Sequence, residues 1–499
     1  MRPILPCLAL ACFLAFATGA QAEPIQRHSD LVAKAEFASE GLWKTYRVGE
    51  RLYFELPAAV LDTELLAIKR RFKAEEGFGD VGKLRQQLMR WQRRGDRLVL
   101  QVRQSRLFAN SEGDLLDDRY LPWKWETVEA LPILFEGRDR APVVDATVLF
   151  TTAVARWFDG ETAADAVAAR IERTRSFPKN VVVTTAAAVV PGSATTFQPT
   201  HWNFVRLPER PMMPRLWDRR SPQMFPGFWA FQPEPAPGQP DVLLRWRLEK
   251  KHPERAISDP IEPIVIYVDS ETPAKWRPYM RRAIEAWRPA LEAAGFSNAI
   301  VARDAPDDPE WSPEDVRHSV LLWSTREPRI GRLLALSGPV IDPRTGEFLQ
   351  VNEGSRAGYP DHERSYLNFS ARYFLRAAAV DPRARQWPLP DELRGEIMQM
   401  IAGHEVGHML GLRDGSFGKY VYSVDSVRSP DWVSRMSFTP SLMNYTRFNY
   451  VAQPEDDMPA ELLFQRVGPA DRFWIRMAYQ PVPTAKSALE ERTQLESWL

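Results

Sequence analysis

Thiols are nearly absent from this chain of 499 residues: its two cysteines, Cys7 and Cys12, both fall within the first 22 positions. Removal of that segment leaves no side chain for a disulfide or a thiolate-bound metal. Charge of one sign is also missing, since Lys plus Arg and Asp plus Glu each number 65. With no basic block to meet phosphates and no basic amphipathic stretch, neither nucleic acid nor an anionic membrane is an expected partner. Long apolar runs are confined to Ile4–Ala17, shorter than the roughly 20 residues that a membrane span needs. Histidine is scarce, with 7 in all and none after His408.

What stands at the amino terminus is Arg2, the apolar run, and then Ala20-Gln21-Ala22 ahead of Glu23. This pattern predicts a signal peptide over residues 1–22, cleaved after Ala22, and a periplasmic or secreted protein with no stable membrane insertion afterwards. A hydrophobic content of 44% and a charged content of 26% are those of a folded chain, long enough for two or three domains.

Residues 23–200 read as a β-rich domain: Leu52 to Leu56 and Leu98 to Arg103 alternate, and Val181 to Thr184 is β-branched throughout. Residues 201–240 hold nine prolines from Pro208 to Pro240 with Trp217, Phe225, Phe228 and Trp229 between them. That density excludes helix and central strand, and the aromatics favour an extended connector packed across a surface. Residues 241–480 change to an α+β pattern. Ile264 to Val268 is a strand, and Ala274 to Ala294 puts Trp276, Met280, Ile284, Trp287 and Leu291 on one helical face, with a kink expected at Pro289. A strand at 318–323 follows, and the turn Asp342 to Gly346 leads into a strand at Glu347 to Val351. Residues 481–499 read as a docking or frayed terminal helix.

The chemistry lies in a helix expected from Asp391 to Leu410 and ended by Gly411. Leu393, Ile397, Ile401, His404 and His408 share one face, so the apolar positions bury the helix and the two histidines emerge at its end. His404-Glu405-Val406-Gly407-His408 matches the pattern in which imidazoles four residues apart bind one Zn²⁺, with Glu405 placed to take a proton from a water that the metal acidifies. Gly411 permits a sharp exit, so Asp414 can return as a third ligand. The competing possibilities are that Asp414 only makes a local turn, or that Asp425, Glu455 or Asp456 supplies the third contact. The other histidines, His28, His201, His252, His318 and His362, have no partners at ligand spacing and are expected at the surface or at caps. Trp123 and Trp125 are expected in the core.

HEVGHMLGLRD, followed by Ser441-Leu442-Met443-Asn444-Tyr445, resembles the metzincin clan of zinc peptidases, whose signature joins HExxHxxGxxH to a Met-turn. With RWRLEKKHPERAISDPIEPIVIYVD, AIEAWRPALEAAGFSNAI, DPRTGE and SLMNYTRFNYVAQPED, the chain looks like the large bacterial zinc-dependent metalloproteases in which a domain of unknown function precedes a metzincin catalytic domain. The resemblance implies an α+β metzincin-like catalytic domain over residues 241–480, a cleft-lining edge strand after Gly346 with a plain hairpin arm as the alternative, and Met443 as a floor beneath the metal. It also implies a role for Tyr445 in binding the metal or donating to the oxyanion, against simple packing at the cleft edge. Asp414 departs from the usual third histidine, and its charge is expected to weaken the Lewis acidity of the ion. The expected activity is that of an exported zinc metalloendopeptidase acting on protein or peptide, with Glu405 and Tyr445 catalytic and His404, His408 and Asp414 on Zn²⁺. A catalytically weak metzincin-like binding protein and a zinc hydrolase of a cell-envelope substrate remain as alternatives.

Overall fold

A computed structural model describes residues 25–71, 85–103, 125–152, 157, 169–189, 196–225, 242–323, 336, 338–354, 362–415 and 421–499. The expected signal segment, Trp123, and residues 226–240 of the connector, including Phe228 and Trp229, lie outside the described residues.

The first half is built from two antiparallel sheets. One has five strands, ordered Phe37–Ser39, Lys44–Val48, Arg51–Glu55, Pro142–Asp145 and Phe135–Glu136. The other has seven, ordered Arg170–Ser176, Asn180–Val189, Thr196–Arg206, Leu65–Arg71, Arg85–Arg94, Arg97–Arg103 and Glu126–Pro132. The strand Thr196–Arg206 runs past residue 200, into the stretch where the connector was expected to begin. Period-two alternation gives the large sheet two apolar faces. Leu65, Ala67, Met89, Trp91, Val183, Trp202 and Phe204 meet Leu52, Phe54 and Val144 of the smaller sheet in one core. Leu66, Ile68, Leu88 and Val205, on the opposite face, pack on Val316 and Val340 of the second half.

That second half is α+β. Its sheet has the order Ile300–Asp304, Ile264–Val268, Ser319–Leu322, Glu347–Gly354 and Gly338–Asp342; the first four strands are parallel and the last is antiparallel. The strand after Gly346 is therefore the inner arm of a hairpin and not an edge. The antiparallel edge is Gly338–Asp342, whose residues are all buried; Val340 packs against the seven-stranded sheet and Ile341 enters the core of the second half. The helix expected over 274–294 is two helices, Arg277–Glu285 and Arg288–Ala293. They part at Ala286-Trp287, ahead of Pro289, because proline fits the first turn of a new helix better than the interior of an old one. Trp276, Met280, Ile284, Trp287 and Leu291 are all buried, and Trp287 Nε1 donates to the carbonyl of Gly403 at 2.9 Å. This bond seats the helix Asp391–Met409, which carries both histidines of the motif, against the preceding pair.

The described part of the connector is extended and packed. Trp217, Met224 and Phe225 enter the main core of the second half. Arg215, 2% exposed, is paired with Glu491 at 2.9 and 2.5 Å and donates to the carbonyls of Met477 and Gln480. Glu491 belongs to the terminal helix Ala488–Glu496, so this helix is docked and not frayed. Removing one member of a buried ion pair leaves the other charge desolvated, at a cost of about 3–5 kcal/mol. Glu491→Ala should therefore lower the thermal midpoint by several degrees or more; an unchanged midpoint would show that this docking contributes nothing to stability.

Candidate metal centre

The geometry of the centre begins with how the active-site helix stops. Gly411 takes φ +90°, the Gly411 N–H donates to the His408 carbonyl at 2.9 Å, and the Leu412 N–H reaches back to Gly407 at 3.0 Å. This pair of bonds closes the helix by the Schellman arrangement. A Cβ at Gly411 would stand 2.4 Å from the carbonyl oxygen of Leu244, so both conformation and space demand glycine there.

The chain then comes back toward the helix and is pinned on both sides of residue 414. Arg413 N–H donates to Pro222 and Met224 N–H to Gly411, each at 2.7 Å, in a short antiparallel bridge between the connector and the post-helix loop. Gly415 N–H donates to the Met443 carbonyl at 3.1 Å. Two separate segments thus fix where the Asp414 carboxylate points.

It points at the histidines. Asp414 Oδ1 lies 2.9 Å from His404 Nε2 and 3.3 Å from His408 Nε2, and the three donor atoms fall within 4.8 Å of one another. A tetrahedral ion with bonds of about 2.0–2.1 Å separates its ligand atoms by roughly 3.3 Å, so two imidazoles and one carboxylate at these distances fit a zinc ion. The Nδ1 atoms are already committed, His404 to the carbonyl of Leu442 at 2.9 Å and His408 to that of Leu412 at 2.7 Å. Each bond fixes the tautomer that leaves Nε2 for a metal.

Burial pushes His404 down to about 4, keeping it neutral and available as a donor. Burial acts the same way on His408, but the hydrogen bond to Asp414 and the charge of Glu405 outweigh it and raise that imidazole. Burial also opposes ionisation of Asp414, yet the bonds from both imidazoles hold its carboxyl well below the usual range. Glu405, 8% exposed, is raised by burial, with His408 opposing the shift.

Beneath the centre lies Met443, 3% exposed. A Cβ on Gly407 would meet its Sδ at 2.2 Å, so the glycine between the two histidines is what lets the methionine close the floor. Tyr445 is 58% exposed and its ring lies 5.4 Å from that of His404; partial burial of the hydroxyl, and after it the nearby Asp414 carboxylate, raise the phenol. Of the alternative third ligands, Glu455 and Asp456 are engaged by Arg428 at 2.7 and 2.8 Å, and Asp425 opens the helix Val424–Arg428. None of the three joins the group of donors.

Of the remaining histidines, His201 and His318 depart from the expectation of surface or capping positions. His28 bonds Glu55 at 3.0 Å, and His201 sits against Thr184 at 3.3 Å within the large sheet, where burial lowers it to about 4. His318 is stacked on Trp311 with centroids 5.1 Å apart. His201 and His318 are thus packed side chains with fixed partners, whereas His28, 32% exposed at the start of the helix His28–Lys34, and His252, 52% exposed, lie at the surface or a helix end as expected. The side chain of His362 lies outside the described residues. Trp125 is half-buried against the core between the halves, with the guanidinium of Arg90 over its ring at 4.5 Å.

Sequence reasoning passed over the supports. Asp471, 1% exposed, accepts from Ser441 Oγ at 2.6 Å, Leu442 N–H at 2.7 Å and Gly468 N–H at 2.8 Å, which holds the backbone at Leu442, the residue whose carbonyl meets His404. Glu353 is buried and its charge acts on Glu405 and His408. Both contacts are long-range, and no local pattern signals them.

Residues 386–499 match the family described as Met-zincin, and residues 82–251 match one described as Domain of unknown function (DUF5117). The carboxy-terminal part of the chain is thus a metzincin-type metalloprotease domain, zinc peptidase-like in function, preceded by a β-rich region that includes a domain of unknown function. No curated protein and no solved structure matches the chain.

Asp414→Ala should lower zinc affinity by more than about tenfold, the range seen when even an outer partner of a ligand is lost. Competition with a chromophoric chelator measures this, and equal affinity in the variant would remove Asp414 from the donor set.

Proposed function

We propose that this protein is an exported zinc metalloendopeptidase, periplasmic or secreted after cleavage behind Ala22, that hydrolyses peptide bonds in protein or peptide substrates. The observation that carries the reading is the convergence of His404 Nε2, His408 Nε2 and Asp414 Oδ1, with both Nδ1 atoms tied to backbone and the Glu405 carboxylate adjacent on the same helix. Among the described residues no helix is long and apolar enough to cross a membrane.

His404, His408 and Asp414 would hold the ion. Zinc in such a site supplies Lewis acidity toward a carbonyl and lowers the pKa of water. Glu405 serves as general base, taking a proton from the attacking water, and then passes it to the leaving amine nitrogen. Its burial suits both roles, because desolvation raises the proton affinity of a carboxylate toward neutral pH. Tyr445, exposed at the mouth and packed on His404, is placed to donate from its hydroxyl to the oxyanion that develops on the substrate carbonyl.

One observation favours a second reading, a catalytically weak protein on the same frame. A carboxylate in the third ligand position neutralises part of the charge that the reaction uses. Zinc bound without hydrolysis would support it, and cleavage confined to peptidoglycan peptides would favour an envelope substrate instead.

Glu405→Gln keeps both imidazoles and the volume of the side chain. It should retain zinc while cleavage of an unfolded protein falls by about 10²–10⁴ in rate, the usual share of a general base. Cleavage at the rate of the unaltered protein would refute this mechanism.

A further inference from the structure

Arg447 lies two residues beyond Tyr445 and is 7% exposed. Its backbone adopts φ +65°, a left-handed conformation that a residue with a β-carbon keeps only where the surroundings impose it. The surroundings are one buried amide. Gln465, 2% exposed, accepts the Arg447 N–H on Oε1 at 2.8 Å, and the Gln465 N–H donates to the Arg447 carbonyl at 3.1 Å. Gln465 Nε2 donates to the carbonyls of Asn444 at 2.8 Å and Ser441 at 2.5 Å. The whole loop from Ser441 to Arg447 is wound around this side chain.

What the winding delivers is a guanidinium against the metal centre. Arg447 Cζ stands 4.8 Å from the centroid of the Tyr445 ring, which itself packs on His404. Burial lowers the proton affinity of Arg447, and the carboxylates of Glu405 and Asp414 oppose that shift. Burying a guanidinium is unfavourable, and doing so beside a site for a divalent cation adds repulsion. A left-handed backbone and a buried guanidinium in the same place argue for a role in the centre and not for packing alone.

We propose that Arg447 offsets the negative charge that Asp414 brings to the metal, so that carboxylate and guanidinium together present the field of a neutral third ligand. The inference rests on the reading of Asp414 as a ligand. It has an unusual sign: Arg447 weakens metal binding while it supports hydrolysis, as a positioning residue that acts through the electrostatics of the ligand set.

The test uses the full-length protein with zinc removed and then returned under chelator competition. Arg447→Met should bind Zn²⁺ about tenfold more tightly than the unaltered protein, the scale of one unit charge acting across roughly 10 Å at an effective dielectric near 20. Its kcat on an unfolded protein should fall about tenfold with KM nearly unchanged, as expected when transition-state stabilisation alone is lost. Arg447→Lys should restore both values in large part. A merely structural role predicts looser zinc binding, so equal or weaker affinity in Arg447→Met overturns the proposal. If that variant does not fold, Arg447→Gln is read by the same criterion. Asp414→Ala, measured alongside, separates the two ideas. If it binds zinc normally, the ligand assignment fails; if it loosens zinc while Arg447→Met leaves affinity unchanged, only the charge offset fails.

Discussion

The centre depends on one backbone event, the reversal at Gly411 that ends the active-site helix and sends the chain back across its own last turn. A helix presents side chains on its flank, so two imidazoles four residues apart can face one point but cannot enclose it. The third donor has to come from outside the helix, and the left-handed glycine provides the shortest route. The same reversal frees the Leu412 carbonyl to accept from His408 Nδ1, so the turn that brings in Asp414 also orients a histidine.

The turn would be a loose loop without what lies against it. On one side the connector contributes Pro222 and Met224 to a two-bond bridge; on the other the Met-turn contributes the Met443 carbonyl. The Met-turn is held in its turn by Asp471 and Gln465, both buried; Asp471 accepts from the Ser441 hydroxyl and the Leu442 N–H, and Gln465 donates to the Ser441 and Asn444 carbonyls. Support of this kind fixes ligand positions to within the tolerance that a metal site needs. It also explains the described stretch of the proline-rich segment, residues 208–225, which is extended yet packed. Each proline lowers the number of conformations the free chain can explore, which suits a strap that must lie across a surface without joining a sheet.

Local patterns made much of this legible. The H-E-x-x-H spacing placed the histidines on one helix face, Gly411 marked the helix end, and alternation in Leu52–Leu56 and Leu98–Arg103 marked strands of the first half. Local patterns also misled where tertiary context decides. The strand after Gly346 could be an edge or a hairpin arm, its neighbours on both sides were not readable, and it is the hairpin arm, with the edge passing to Gly338–Asp342. Pro289 signalled a break without saying that the break would come two residues earlier, since proline excludes itself from a helix interior but starts a new helix readily. His201 shows the limit most plainly. Nothing in its flanking residues distinguishes a solvated imidazole from one enclosed by a sheet in which one neighbouring strand, Leu65–Arg71, is far away in sequence.

The central claim is that two imidazoles and one aspartate oxygen bind a single zinc ion, and X-ray absorption at the zinc edge of the metal-loaded protein tests it most directly. The account predicts a first shell of nitrogen and oxygen only, at about 2.0–2.1 Å, with the outer-shell scattering of two imidazole rings that is lost when either His404 or His408 is replaced. A shell with one imidazole or none, or one that does not change when those residues are replaced, would contradict it.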